Sequence, residues 1–204
     1  MTAQEMEKFM AHCEKYFGQP TDMVLHSGKD EKMHIDILRY APTEKYPFWK
    51  LVTMGASDYK MPRLKGSPGD RNEYMLFVHP DEDLTDHAAL GWYFQILLGI
   101  ANYPAATQTA ITYGHSIEWG EIESGCDMEG VFFEFPQMIE TTGILRCKLS
   151  FFKTVICLQA VTLTRADLDH LQKIGPQEFS NFLYPEEGNK RPHFLCEKKR
   201  SERF

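Results

Sequence analysis

A chain of 204 residues with 43% hydrophobic content can bury one substantial core, and its 14 Phe, 9 Tyr and 3 Trp exclude a disordered chain. The net charge of −7 argues against general binding to nucleic-acid phosphates. The five cysteines (Cys13, Cys126, Cys147, Cys157, Cys196) are odd in number, widely spaced and lack any Cys-x-x-Cys, which points away from a disulfide framework and toward a reduced cytoplasmic protein with mostly inert thiols.

Thr2 and Glu5 form a capping box, and Met6, Phe9, Met10, Cys13, Tyr16 and Phe17 recur at helical spacing, so an amphipathic helix is expected over residues 4–17. This charged start has none of the apolar core of a secretory leader. Gly18-Gln19-Pro20 ends the helix, residues 23–25 read as a short strand, and Gly28-Lys29-Asp30 as a turn. In the next run Ile35 and Ile37 face one way, and His34, Asp36 and Leu38 the other. Pro42 and Pro47 bracket a loop, and a β-branched, aromatic strand over 48–54 stops at Gly55.

Residues 63–71 form a Gly/Pro-rich loop, and 73–78 a strand stopped by His79-Pro80. Thr85 or Asp86 caps a helix over 87–102 that is apolar nearly all round and therefore belongs at the centre of the fold. Its apolar stretch, 90–101, is too short to span a bilayer. Strands are expected over 116–119, 130–135, 144–150 and 154–163, the last buried on both faces. A Thr164/Asp167 box opens a helix to residue 174, Gly175-Pro176 breaks it, and 177–182 form a last short helix. The expected organisation is one α+β domain over 1–186 and a basic, mobile tail over 187–204. Residues 188–204 hold six basic and two acidic side chains, +4, which leaves the rest of the chain at −11.

Few motifs carry chemistry. Gly55-Ala56-Ser57-Asp58-Tyr59 lacks the second glycine of a nucleophile elbow, and a turn-and-cap role suits Ser57 and Asp58. Gly66-Ser67-Pro68-Gly69-Asp70-Arg71 lacks the lysine and hydroxyl of a phosphate loop. His34 and Asp36 share a strand face and suit either a structural hydrogen-bonded pair or acid/base work. His115, Glu118, Cys126 and Asp127 match no zinc spacing, so neither a metal nor another cofactor is expected. Tyr103, ahead of Pro104, can pack its ring and offer its hydroxyl to a groove. No nucleophile, base and oxyanion hole assemble, and no enzyme is expected.

Several blocks in order resemble the suppressor-of-fused domain family. His34-Ile35-Asp36-Ile37 with Pro42-Thr43 is similar to its His-x-Asp-Ile…Pro-Thr segment. Residues 51–61, with Thr53, Gly55, Ser57 and Asp58, resemble its Leu-Val-Thr-x-Gly-Met-Ser-Asp-x-x-Met segment, Ala56 standing for the usual Met. Residues 73–80 resemble its Glu-Leu strand, with His79 for Leu; 98–104 and Gly114-His115-Ser116-Ile117 resemble its helix end and Gly-x-His strand; 161–182 resemble its closing strand and helix. The resemblance spans residues 14–184 and implies a mixed, largely antiparallel sheet flanked by helices.

It also implies a non-enzymatic, cytoplasmic protein-binding role. Animal members sequester a zinc-finger transcription factor by gripping a peptide as an added strand between two domains. Single-domain, bacterial-type members are linked to immunity against toxin domains. The carried-over partner-binding candidates are Tyr103, Gly114, His115 and Trp119; the family's acidic residue beside the histidine is Gly114 here. A protein partner is expected, a toxin domain or a regulatory protein, with no nucleic acid and no membrane. The alternatives are a regulator holding a transcription factor or signalling peptide by strand addition, and a hydrolase or transferase using His34, Asp36 or His115.

Overall fold

The computed structural model describes residues 1–21, 24–27, 33–121, 126–139, 142–184 and 193–200. The expected Gly28-Lys29-Asp30 turn, Met23 at the start of the first strand, and tail residues 187–192 and 201–204 lie outside them.

The first helix, α1 (Ala3–Phe17), opens on the Thr2/Glu5 capping box and buries Phe9, Cys13 and Phe17, one face of its 3.6-residue period. Burying each Phe contributes about 1.5–3 kcal/mol. The strands follow as β1 (Val24–His26), β2 (Asp36–Tyr40), β3 (Trp49–Met54) and β4 (Asn72–Val78). Helix α2 (His87–Thr107), capped by the Asp86 carboxylate on the Ala89 amide, precedes β5 (Ser116–Glu118), β6 (Gly130–Glu134), β7 (Arg146–Lys148) and β8 (Thr154–Leu163). The chain closes with α3 (Arg165–Ile174), opened by the Thr164/Asp167 box, and α4 (Pro176–Leu183).

The strands form one mixed sheet in the order β1-β2-β3-β4-β8-β6-β5, with β7 also paired to β8. β8 is central: β4 runs parallel along one side, while β7 and β6 pair antiparallel along the other. Its two rows of side chains enter different cores, which explains its unbroken apolar run. Val155, Cys157, Val161 and Leu163 pack with α1, α3 and α4. Ile156, Leu158 and Ala160 pack with α2. The expected α+β architecture, a largely antiparallel sheet flanked by helices, is the one observed.

Two expectations about elements need correction. The strand expected over 144–150 is reduced to β7, because residues 142–145 coil into a single 3-10 turn ahead of it. α2 does not end before Pro104 but runs through it to Thr107. The proline removes one amide, the donor to the Ile100 carbonyl, and the helix continues only three residues beyond it. The described part of the tail, residues 193–200, packs on the body of the fold. Phe194, Leu195 and Cys196 are buried, and the Cys196 amide donates to the Phe77 carbonyl at 2.7 Å, extending the sheet beside β4. Arg200 donates to the Thr162 carbonyl at 3.1 Å and to Asp167 at 3.3 Å. Charge composition suggested solvation, but Phe194, Leu195 and Cys196 supply the apolar area that docks the segment.

Candidate functional site: the signature turn and a groove beside an edge strand

β3 delivers the chain to Gly55, and the single turn 56–58 coils around a carboxylate from β4. Glu73 is fully buried. It accepts from the Thr53 hydroxyl at 2.7 Å and from the amides of Gly55, Ala56 and Ser57 at 2.9, 3.2 and 3.0 Å. Burial pushes its pKa up, and these four donors oppose the shift by favouring the ionised form. Gly55 has φ +124°, and a Cβ there would lie 2.2 Å from the His34 carbonyl oxygen, so only glycine fits.

The other signature residues tie this turn to its surroundings. Arg71 donates to the Ser57 and Asp58 carbonyls at 2.7 and 3.0 Å. Asp58 does not cap a neighbouring amide; its carboxylate pairs with Lys153 at 2.7 Å and with the amino terminus. Burial raises the Asp58 pKa, but Lys153 and the amino terminus hold it below the usual range. Lys153 also bonds Glu5 at 3.1 Å, fastening α1, the turn and the β7–β8 connection at one point.

On the neighbouring strand, His34 and Asp36 do form a pair, Nε2 to Oδ1 at 3.0 Å. A second imidazole, His26 from β1, joins them through Nδ1 at 2.5 Å. His115 is remote from all three. It precedes β5, the strand at the opposite end of the sheet, and at ~4.8 Å per strand the five steps from β2 to β5 amount to roughly 24 Å. A hydrolytic centre combining His34, Asp36 and His115 is therefore not assembled.

The second concave feature lies at that opposite end. One side is α2, with Ile96, Gly99, Ile100 and Tyr103; the other is Ile117 of β5 with Trp119. Together they enclose an apolar groove of about 400 Å³ with Glu118 and Gln95 at its rim. Trp119 is oriented by its indole N–H, which donates to the Met128 carbonyl at 3.2 Å. Gly99 opens the groove, since a Cβ there meets nothing within 4 Å. β5 is paired with β6 on one side and terminates the sheet. Beneath it, Arg165 is shared among Glu118, Glu129 and Asp169, one cation to three carboxylates.

Comparison with known proteins places this geometry. The family model for Suppressor of fused protein (SUFU) matches residues 31–191, most of the chain. The chain belongs to the SUFU family. In the crystal structure of the Sufu–Fu complex, the similar chain shares 13% identity at a TM-score of 0.69, over 97% of this chain and 91% of that one. A putative SUFU homologue from Neisseria gonorrhoeae FA 1090 shares 11% identity at 0.67, over 97% and 95%. Drosophila Suppressor of Fused shares 15% identity at 0.61, over 88% of this chain and 46% of that one. Among curated proteins none matches the chain. At these identities the structural likeness shows the fold.

Within this SUFU fold, Tyr103 and Trp119 meet at the groove, whereas Gly114 and His115 do not line it. Gly114 sits at φ +81° on Pro176 at the start of α4, and its amide donates to Phe133. His115 is exposed ahead of β5. Sequence reasoning missed Ile117, Ile96 and Gly99, which only the docking of α2 on β5 brings together. It also missed Phe151 and Phe152 at the β7–β8 turn, 82% and 93% exposed with rings 4.8 Å apart. Two adjacent aromatics between two strand runs were the available signal. All five cysteines are buried and none forms a disulfide; burial raises the Cys13 and Cys157 thiols and takes Cys147 to about 11, which fits inert thiols. No helix among the described residues is long and apolar enough to cross a membrane.

Proposed function

We propose that this SUFU-family chain is a non-enzymatic, cytoplasmic protein-binding domain that masks a partner's functional surface, as an immunity protein neutralising a toxin domain. The observation that carries the reading is the apolar groove beside β5. It pairs an open sheet edge, which offers backbone hydrogen bonds, with apolar wells for side chains. The −11 charge of residues 1–187 suits a basic partner such as a nuclease, because complementary charge speeds encounter. Tyr103, Ile117 and Trp119 are the contact residues of this reading, and Phe151-Phe152 is a second contact patch.

The test is co-purification with the products of neighbouring genes at low and high salt, with Gly99→Leu beside the parent chain. Gly99 is exposed and a Cβ there meets nothing within 4 Å, so a leucine enters the groove without displacing the α2 backbone. Binding at low salt that weakens with salt and is lost in Gly99→Leu supports the reading; no partner at low salt overturns it.

The open edge of β5 also favours a second reading, a regulator that holds an extended regulatory peptide by strand addition. A peptide that binds the parent and is lost in Tyr103→Ala favours it. Equal binding by both counts against it.

A further inference from the structure

The β1–β2 edge, at the far end of the sheet from the groove, carries a donor set with a different chemistry. The register places His26 of β1 opposite Asp36 of β2. His34 stands two residues before Asp36, so strand alternation turns all three side chains to one face. The donor atoms of the three residues lie within 4.8 Å of one another. The Asp36 side chain is 5% exposed, while His26 and His34 are 60% and 66% exposed, with stacked rings 5.8 Å apart. A buried carboxylate thus lies beneath two solvent-facing imidazoles.

We propose that His26, His34 and Asp36 form a binding site for a divalent transition-metal ion of the zinc type. Two imidazoles and one carboxylate are a borderline-soft set that suits Zn²⁺ better than Mg²⁺ or Ca²⁺, which prefer oxygen ligands. Zinc bonds of ~2.0–2.2 Å in a tetrahedron separate donor atoms by about 3.3 Å. The Asp36 oxygen lies 2.5 Å from His26 Nδ1 and 3.0 Å from His34 Nε2, and all three donor atoms lie within 4.8 Å of one another, so rotation of the two exposed imidazoles brings the set to the spacing of one ion.

The backbone beneath is already fixed. The Ser27 amide donates to the Ile35 carbonyl at 2.9 Å, the Ile35 amide returns to the Ser27 hydroxyl at 2.9 Å, and Gly55 packs against the His34 carbonyl. The ion clips the terminal strand β1 to β2. Three protein donors leave a fourth position for water or a partner's side chain.

The test uses the full chain stripped of metal, dialysed against Zn²⁺, with Co²⁺ as a spectroscopic probe and melting curves in parallel. The expected result is one ion per chain and a melting temperature that rises with Zn²⁺. His26→Ala and His34→Ala each weaken binding at least ~10-fold. Each imidazole contacts the buried Asp36 carboxylate, so the metal-free melting temperature of each variant is measured beside the parent's, and the corresponding Gln variant is used where it falls. His115→Ala keeps parental affinity. Absence of saturable Zn²⁺ binding, or full retention of the ion by the His26→Ala/His34→Ala double variant, overturns the proposal.

Discussion

The carboxylate of Glu73, at the second residue of β4, accepts the amide of Gly55 at 2.9 Å and so holds the end of β3 in place. Seventeen residues of chain lie between the two, including the whole 63–71 loop. The family-like Thr-x-Gly-x-Ser segment is thus a cradle of donors for one buried charge. Its consequence is an energetic dependence of the turn on that charge.

Replacing Glu73 tests this dependence. Glu73→Gln keeps the shape but turns an N–H₂ toward backbone donors, leaving at least one buried amide without an acceptor. Stability falls by about 1–3 kcal/mol, and by more in Glu73→Ala, which empties the cradle. Urea unfolding of the three proteins measures it. A Gln variant within ~0.5 kcal/mol of the parent shows that the cradle does not hold the turn.

Two glycine-to-alanine changes should have opposite signs. At Gly55 the Cβ meets a carbonyl oxygen at 2.2 Å on a backbone of φ +124°, so Gly55→Ala forces β2 and β3 apart and loses more than ~3 kcal/mol. At Gly99 the Cβ enters open space within α2, and Gly99→Ala gains about 0.5–1 kcal/mol from helix propensity. Melting temperatures that move the same way contradict this reading of the two environments.

Lys50 gives a pH signature. Its ammonium is buried, bonded to the carbonyls of Ala41 at 2.6 Å and Tyr46 at 3.3 Å across the proline-bracketed loop. Burial lowers its pKa from 10.5 to about 8. The unfolded chain therefore binds this proton more tightly than the folded one. The folded state carries the full cost below pH 8, and that cost disappears as pH rises toward 10.5. Between pH 7 and 9.5 the parent gains about 2 kcal/mol relative to Lys50→Met, which cannot titrate there. Urea unfolding of both proteins at the two pH values reads the difference, and parallel curves sink the assignment.

The exposure of Phe151 and Phe152 predicts a small contribution to stability. Both are almost entirely exposed, so the Phe151→Ser/Phe152→Ser double variant stays within ~0.5 kcal/mol per site of the parent. A large loss of stability implies a packing role that the exposed rings do not show.

Local signals in the sequence carried over well wherever the determining physics was local. The Thr2/Glu5 and Thr164/Asp167 boxes mark helix starts because cap and amide are three residues apart. The unbroken apolar run of 154–163 announces a strand buried on both faces. Pro104 misled because its cost depends on where it sits in a helix, and the end of that helix is set by packing and not by the proline. The packing of the described tail was not legible because composition counts its charges, while the burial of Phe194 depends on a site that only the folded sheet provides.

The sequence alone determined the elements, their order and the resemblance of residues 51–61 to a family segment, since periodicity, capping and turn chemistry act over a few residues. Tertiary structure alone decided what those elements do. It aimed the Gly55–Ser57 amides at Glu73, brought Gly99 of α2 beside Trp119, and set His26 across from Asp36 while keeping His115 at the other end of the sheet. Each of these depends on strand register and layer packing, which arise from burying two apolar faces of one sheet at once, and no local window of sequence contains that information.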